Sequence, residues 1–376
     1  MAGPYFMAKP LIKKYGVAAF SSNYNLYGDL SWRVMETLRV MLGKKNVEVY
    51  SVDEAFLDLD IFPPEDLPTI AKEIRQTVEQ WTGIKVSVGV APTKVLAKLA
   101  NRLAKKDKHK TDCVVVLDTE DKIIEALRKT PVGDIWGVGY QYAQKLKEHW
   151  CIYDALQLRN VSQEFAGTHL GGVVGTRLIR ELKGIASKEM EDERVNKKMI
   201  ATTRMFGSPV GNINDIKEAV ATYTSRAAEK LRRQHGAAKI VSVFIVSKGE
   251  NHNVDFRGAT HGDSATLPTA TSFTNELIKP AIALVDKLYK TGTMYKKAGV
   301  MLSGIVPDRS IQGNMFLQEN KNCERKLMDM IDNVNFSQRD DVLKFAASGT
   351  TRDWKMRQEL RSPRYTTRWD EFFEIT

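Results

Sequence analysis

Hydrophobic positions recur along the chain with two alternating periods. VAAF (Val17–Phe20) is a short apolar run of strand type. Leu30, Val34, Leu38 and Met41 or Leu42 then follow at helical turn spacing. Val47–Leu59 reads as two strands around an acidic pair. After the Pro63-Pro64 break, Ile70, Ile74, Val78 and Trp81 mark a second helix. IKVSVGVA (Ile84–Ala91) alternates its valines as a strand does. Pro92 and Thr93 open the helix KVLAKLANRLAKK, and CVVVLD (Cys113–Asp118) closes a unit of alternating strands and helices. Such alternation predicts a sheet layered with helices.

From Asp121 to Gly184 the pattern is helical, punctuated by Gly137 and Gly139, Gly171-Gly172, Gly175 and Gly184. The charged run EMEDERVNKKM (Glu189–Met199) predicts an exposed linker. Beyond it the order is strand, helix, strand, strand, helix, strand. Ile216, Val220, Tyr223, Ala227 and Leu231 give the first helix a continuous apolar stripe, ending at Gly236. Ile240–Val246 and roughly Ser264–Phe273 supply the middle strands. Leu277, Ala281, Leu284 and Leu288 mark the second helix, and Ala298–Ile305 the last strand. After Val306 hydrophobic order fades into a polar tail.

A chain of 376 residues exceeds one ordinary core and predicts several domains. No apolar run reaches membrane-span length, and the N-terminus lacks the apolar core of a signal peptide. Three dispersed cysteines and six scattered histidines read as reduced thiols and isolated imidazoles, which argues against zinc or disulfide chemistry. Fifty-six Lys and Arg against 46 Asp and Glu give a net charge of +10. That balance suits a polyanionic partner such as nucleic acid, through release of condensed counterions. Charge alone leaves open a plain enzyme with a basic surface.

Candidate chemistry centres on YSVDEAFLDLD (Tyr50–Asp60). Neighbouring residues on a flat strand point to opposite faces, so Asp53 and Glu54 converge on one cation only where the pleat breaks. The flanking strand patterns place such a break here. Two carboxylates at a turn could serve divalent metal ions in phosphoryl chemistry, although magnesium's octahedral shell needs further oxygen donors. An isolated Asp-Glu pair is more often an exposed acidic turn.

The surroundings decide. SSNYNLYGDLSWRVMETL (Ser21–Leu38) followed by VYSVDEAFLDL resembles the palm of Y-family translesion DNA polymerases, in the UmuC-like branch. The likeness continues through VSVGVAPTKVLAKLANRLAKK (Val86–Lys106), IWGVG (Ile135–Gly139) and SPRYTTRW (Ser362–Trp369), in order. It implies an α+β multidomain fold. Residues 1–16 would be a remnant of fingers, 17–118 a truncated palm and 119–192 a helical thumb with a helix-hairpin-helix. Residues 193–306 would form a β-α-β-β-α-β little finger, and 307–376 a UmuC-like C-terminal region. The implied reaction is two-metal nucleotidyl transfer with Mg²⁺ and dNTPs across damaged DNA, in an SOS-type repair response in the bacterial cytoplasm, at the nucleoid.

The resemblance makes Asp53 and Glu54 catalytic carboxylates and two of three metal ligands, Glu54 lying near the primer 3′-hydroxyl. In the family the remaining Asp lies upstream, on an opening palm strand. MAGPYFMAKPLIKKYG resembles the end of the fingers, so that Asp is expected to be missing from this chain, the palm edge exposed, and primer extension impaired while DNA binding persists. A second reading is therefore a non-catalytic remnant that binds DNA and a clamp.

Other residues take roles by the same resemblance. Lys94, Lys98, Arg102, Lys105 and Lys106 load one helix with charge. Lys105 stands at the family's triphosphate-binding position, while Lys94 and Lys98 read as surface or DNA-backbone charges. Gly137 and Gly139 would admit a DNA phosphate to backbone N–H groups at a helix N-terminus, or serve only a tight turn. Arg204, Lys230, Arg232 and Arg233 of the little finger could hold template backbone. Gln312, Met315 and Phe316 resemble a sliding-clamp-binding peptide. The Arg- and aromatic-rich tail could stack on single-stranded DNA, pack back on the protein or bind a partner. Implied partners are primer–template DNA, the sliding clamp, a UmuD-like subunit and a recombinase filament, with no membrane.

Overall fold

The computed structural model describes residues 3, 5–191, 196–249, 258–313, 321–338, 341–372 and 374. The chain divides into two compact units, Met1–Arg194 with Leu360–Thr376, and Val195–Glu359.

The first unit opens with helices α1 (Tyr5–Tyr15) and α2 (Tyr24–Leu42). Val17–Phe20, expected as a strand, runs without ladder partners, because its side chains other than Ala19 are exposed and find no apolar face to join. Strands β1 (Val47–Val49) and β2 (Ala55–Leu57) pair antiparallel, followed by helix α3 (Leu67–Thr82). Met35, Leu38 and Leu42 of α2 and Ile74 and Val78 of α3 close over Val47 to form one core. Trp81, expected on the buried stripe of α3, is instead 58% exposed in the helix's last turn.

Strand β3 (Val88–Val90), helices α4 (Lys94–Lys106) and α5 (Lys108–Thr111) and strand β4 (Val114–Val116) complete this part. The pairing of β3 with β4 is parallel, as a helical crossover requires. Among the described residues the strands of the first unit thus form two separate two-stranded ladders. Gly89 lets α4 approach closely, since a Cβ there would lie 2.1 Å from the Asn101 backbone nitrogen.

Five helices follow: α6 (Glu120–Arg128), α7 (Tyr140–Trp150), α8 (Ala155–Arg159), α9 (Gln163–His169) and α10 (Val173–Leu182). Their apolar faces share a core with α4, joining Leu96 and Leu99 to Leu127, Leu146, Leu158 and Ile179. Buried Glu181 fixes the start of α4. Its carboxylate accepts from the Val95 N–H at 3.3 Å and from the N–H groups of Ser187 (2.6 Å) and Lys188 (3.1 Å). An anion at that end also meets the positive pole of the helix.

The second unit has strand β5 (Ile200–Val210), helix α11 (Ile213–Arg233), strands β6 (Gly236–Ser247) and β7 (Thr260–Thr271), helix α12 (Thr274–Leu288) and strand β8 (Tyr295–Pro307). The antiparallel sheet runs β5-β8-β6-β7. Ile216, Val220, Tyr223, Ala227 and Leu231 of α11 are all buried against it, as their spacing predicts.

The tail is more ordered than its polarity suggests. Helix α13 (Lys321–Gln338) ties back through Asp332, and Trp354 enters the core of the second unit at 5% exposure. Its carbonyl accepts from the Gly207 N–H at 3.1 Å. The last segment belongs to the first unit instead. The Leu360 carbonyl accepts from Ser21 N–H (2.9 Å), and the Ser362 carbonyl from the buried Asn23 amide (2.8 Å). The C-terminal segment is thus divided between the two units.

Candidate active site

The acidic pair occupies the tip of the β1–β2 hairpin. The Glu54 carbonyl accepts from the N–H groups of Tyr50 (3.1 Å) and Ser51 (3.0 Å), which closes the turn and breaks the pleat. Asp53 is exposed, and its Oδ1 accepts from the Ser51 hydroxyl at 2.7 Å. Glu54 is half-buried and paired with the Lys98 ammonium. One turn earlier on α4, Lys94 pairs with buried Glu48 of β1. The same Glu48 carboxylate accepts from the Glu191 N–H at 2.9 Å.

Three rings frame these lysines. Tyr50 meets Phe56 at 5.5 Å and Trp136 at 5.5 Å, and Phe56 lies 5.6 Å from Trp136. Lys98 Nζ lies 5.5 Å from the Tyr50 ring centroid and 5.8 Å from that of Trp136. Lys94 stands over Phe56, and Lys188 over Trp136 at 3.9 Å. The glycine motif therefore reaches the acidic hairpin through Trp136. Sequence reasoning missed this role and the Lys98 partnership. The four-residue spacing of Lys94 and Lys98 was visible, but their acidic partners lie more than 40 residues away.

Lys105 is exposed in the last turn of α4. Seven residues after Lys98, it shares that face about 10 Å further along the axis. Gly137 takes φ +101°, a conformation that strains any residue with a Cβ. Gly139 is the exposed N-cap of α7, and a Cβ there would meet nothing within 4 Å. Packing within the chain therefore does not demand glycine at 139.

In the second unit, Arg204 sits opposite Ala298, a residue of the helix-side core, so it leaves the sheet on the helix side. There it helps, after burial, to hold the Lys230 ammonium below its usual pKa, together with Lys197 and Arg226. Burial pushes the nearby Tyr223 phenol up to about 12. Arg232 is almost enclosed. It grips Asp332 through two 2.7 Å contacts and donates to the Ser272 carbonyl and the Thr274 hydroxyl. Arg233 is exposed, paired with Glu229 at 2.5 Å and over the Phe336 ring. Gln312 is exposed, while Met315 and Phe316 lie outside the described residues.

Among the described residues no three or more His, Cys, Asp or Glu side chains gather as a metal site. The donors at 53 and 54 are hard carboxylate oxygens at an open turn. Carboxylate oxygen is the donor type that suits Mg²⁺, and two such side chains fall short of a complete two-ion set. Among the described residues no helix is long and apolar enough to cross a membrane.

The fold is that of Y-family DNA polymerases. A solved Y-family polymerase chimera of Dbh and Dpo4 matches with a TM-score of 0.60 at 21% identity, over 76% of this chain and 77% of its own. Residues 1–102 match the impB/mucB/samB family model, residues 197–315 that family's C-terminal domain, and residues 325–375 a domain of unknown function. Protein UmuC of Salmonella typhimurium strain LT2 is 39% identical over 99% of this chain and 87% of its own length. Protein ImpB of Salmonella typhimurium is 34% identical (98% and 86%), and MucB of Escherichia coli 32% (98% and 86%). The chain belongs to the impB/mucB/samB family, a UmuC-like branch of the DNA-directed DNA polymerases of translesion synthesis.

Proposed function

We propose that this chain is the UmuC-like subunit of an SOS-type translesion assembly, binding damaged primer–template DNA and directing dNTP addition at the 3′ end. The observation that carries the reading is the placement of Asp53 and Glu54 at an open hairpin tip beside the basic face of α4. Asp53 and Glu54 would hold Mg²⁺, which supplies Lewis-acid activation of the attacking hydroxyl and charge neutralisation at phosphate. Lys105 would take the triphosphate as a point charge. Gly137 and Gly139 leave the N-terminus of α7 open to a duplex phosphate, a contact without sequence preference. Arg204, Arg233 and the Lys230 cluster would hold template backbone. Gln312, with Met315 and Phe316, would engage a sliding clamp. A UmuD-like subunit and a recombinase filament would complete the assembly at the nucleoid.

A second reading, a non-catalytic DNA- and clamp-binding protein, is favoured by one observation. Among the described residues no third acidic side chain joins Asp53 and Glu54. Fluorescence anisotropy on primer–template across a salt series, with Mg²⁺-dependent primer extension on the same samples, separates the two. The enzyme reading expects extension that Asp53→Asn and Glu54→Gln abolish while DNA affinity persists. Salt-sensitive binding without extension selects the second reading, and affinity indifferent to salt sinks both.

A further inference from the structure

Helix α4 turns two lysines towards the acidic hairpin, and they are held differently. Lys94 is locked. It is 11% exposed, paired with Glu48, and donates to the Glu189 carbonyl at 2.7 Å. Its neighbour Lys98 is 23% exposed, and its partner Glu54 is 32% exposed, so water reaches both members of that pair. The Lys98 ammonium also lies over the faces of Tyr50 and Trp136, where a cation is attracted without a covalent or hydrogen-bonded anchor.

We propose that Lys98 is a displaceable counter-ion of Glu54, holding the carboxylate while no divalent cation is bound and giving it up when one arrives. The inference rests on reading Asp53 and Glu54 as the Mg²⁺-binding carboxylates, and adds a residue that regulates their availability. One carboxylate oxygen cannot serve an ammonium at hydrogen-bond distance and a Mg²⁺ at about 2.0–2.1 Å without bringing two cations into repulsive contact. The contact is to Glu54 Oε1, so the ammonium must move before that oxygen can ligate, and a cation held by Oε2 alone would still meet the repulsion of the neighbouring ammonium. The Tyr50 and Trp136 rings give it a favourable resting place within reach of its stem, which keeps the cost of release small. Lys98 touches no reacting atom in this scheme. It is a positioning residue that keeps Glu54 from being an unpaired charge and sets the cation concentration at which the site fills.

Binding of Mn²⁺ to the full chain, followed by the electron paramagnetic resonance signal of the free ion, tests this without reference to activity. Lys98→Met keeps the stem over the rings and removes the charge. It is expected to tighten Mn²⁺ binding roughly 1.5- to fivefold, the range of a partly exposed ion pair. The double variant Lys98→Met with Glu54→Gln is expected to lose that gain. Lys98→Gln serves as the second neutral variant, with circular dichroism confirming the fold of each. Equal Mn²⁺ affinity in wild type and both neutral variants overturns the counter-ion role while leaving the carboxylates as ligands. Failure of every variant to bind Mn²⁺ at millimolar concentration overturns the ligand reading itself, and the inference with it.

Discussion

Trp136 stands perpendicular to Tyr50, ring centroids 5.5 Å apart and planes at 88°. One ring belongs to the turn before the acidic pair, the other to the glycine-rich motif that opens α7. Edge-to-face contact of this kind is specific in geometry, so displacing either ring moves the support on which Lys98 rests. A double-mutant cycle on Tyr50→Ala and Trp136→Ala, read by chemical denaturation, is expected to give a coupling energy of about 0.5–1.5 kcal/mol. Additive effects would show that the rings merely adjoin.

Trp354 anchors the C-terminal region to the second unit. It lies 5.8 Å from Tyr223 at 88° and belongs to the core under the four-stranded sheet. Removing so large a buried ring leaves a cavity as well as lost contacts. Trp354→Ala is expected to cost about 3–5 kcal/mol of unfolding free energy. Trp354→Phe, which keeps most of the volume, should cost clearly less. A loss under 1 kcal/mol for the alanine variant would mean that the tail is not part of this core.

Much of the second unit was legible because its elements are long and amphipathic. The stripe from Ile216 to Leu231 has one period and one face, and packing against the sheet preserves both. In α12, Leu277, Ala281 and Leu284 are buried and Leu288 packs against the same core, as spaced. The first unit was harder. Its strands carry three residues each in two separate ladders, so Ile84–Ala91 contributes only Val88–Val90 to pairing. The tail was illegible for another reason: Trp354 sits in a segment without periodicity, and burial of a single ring leaves no pattern. At the hairpin, the strand patterns on either side of Asp53 and Glu54 located the turn that joins β1 and β2. The pairing of Lys98 with Glu54 spans 44 residues and depends on how α4 docks against the hairpin, which no local spacing encodes.

The Arg364–Glu371 pair gives the tail a pH dependence with a definite sign. Hydrogen bonds from the Arg364 side chain and backbone hold the Glu371 carboxyl down at about 2, from an ordinary value of 4.5. The folded chain therefore favours the anion. The stabilisation is complete above about 4.5 and is lost as pH falls towards about 2. Carbon-13 NMR of the Glu371 carboxyl should show a midpoint near the lower value. Arg364→Gln should return it towards the ordinary range, and a midpoint near 4.5 in the wild type would remove the pair from the tail's stability.

Two arginines of the second unit carry the same charge and should behave in opposite ways. Arg232 is 11% exposed and committed to Asp332, Ser272 and Thr274. Taking it away leaves a largely buried carboxylate without its partner, so Arg232→Ala should lower stability by about 3 kcal/mol. Its guanidinium is already neutralised by protein groups, so it releases no DNA counterions, and the salt slope of DNA binding should not change. Arg204 is exposed beside Lys197 and Lys230, and its side chain adds to a field that already disfavours the Lys230 charge. Removing it should relieve that repulsion, leaving stability unchanged or slightly raised, and should lower the salt slope by about one. Both are read from denaturation midpoints and from anisotropy titrations at several salt concentrations. A reduced slope in Arg232→Ala with an unaltered slope in Arg204→Ala would place the DNA contact on the other arginine, and would require the Asp332 pair to open when DNA binds.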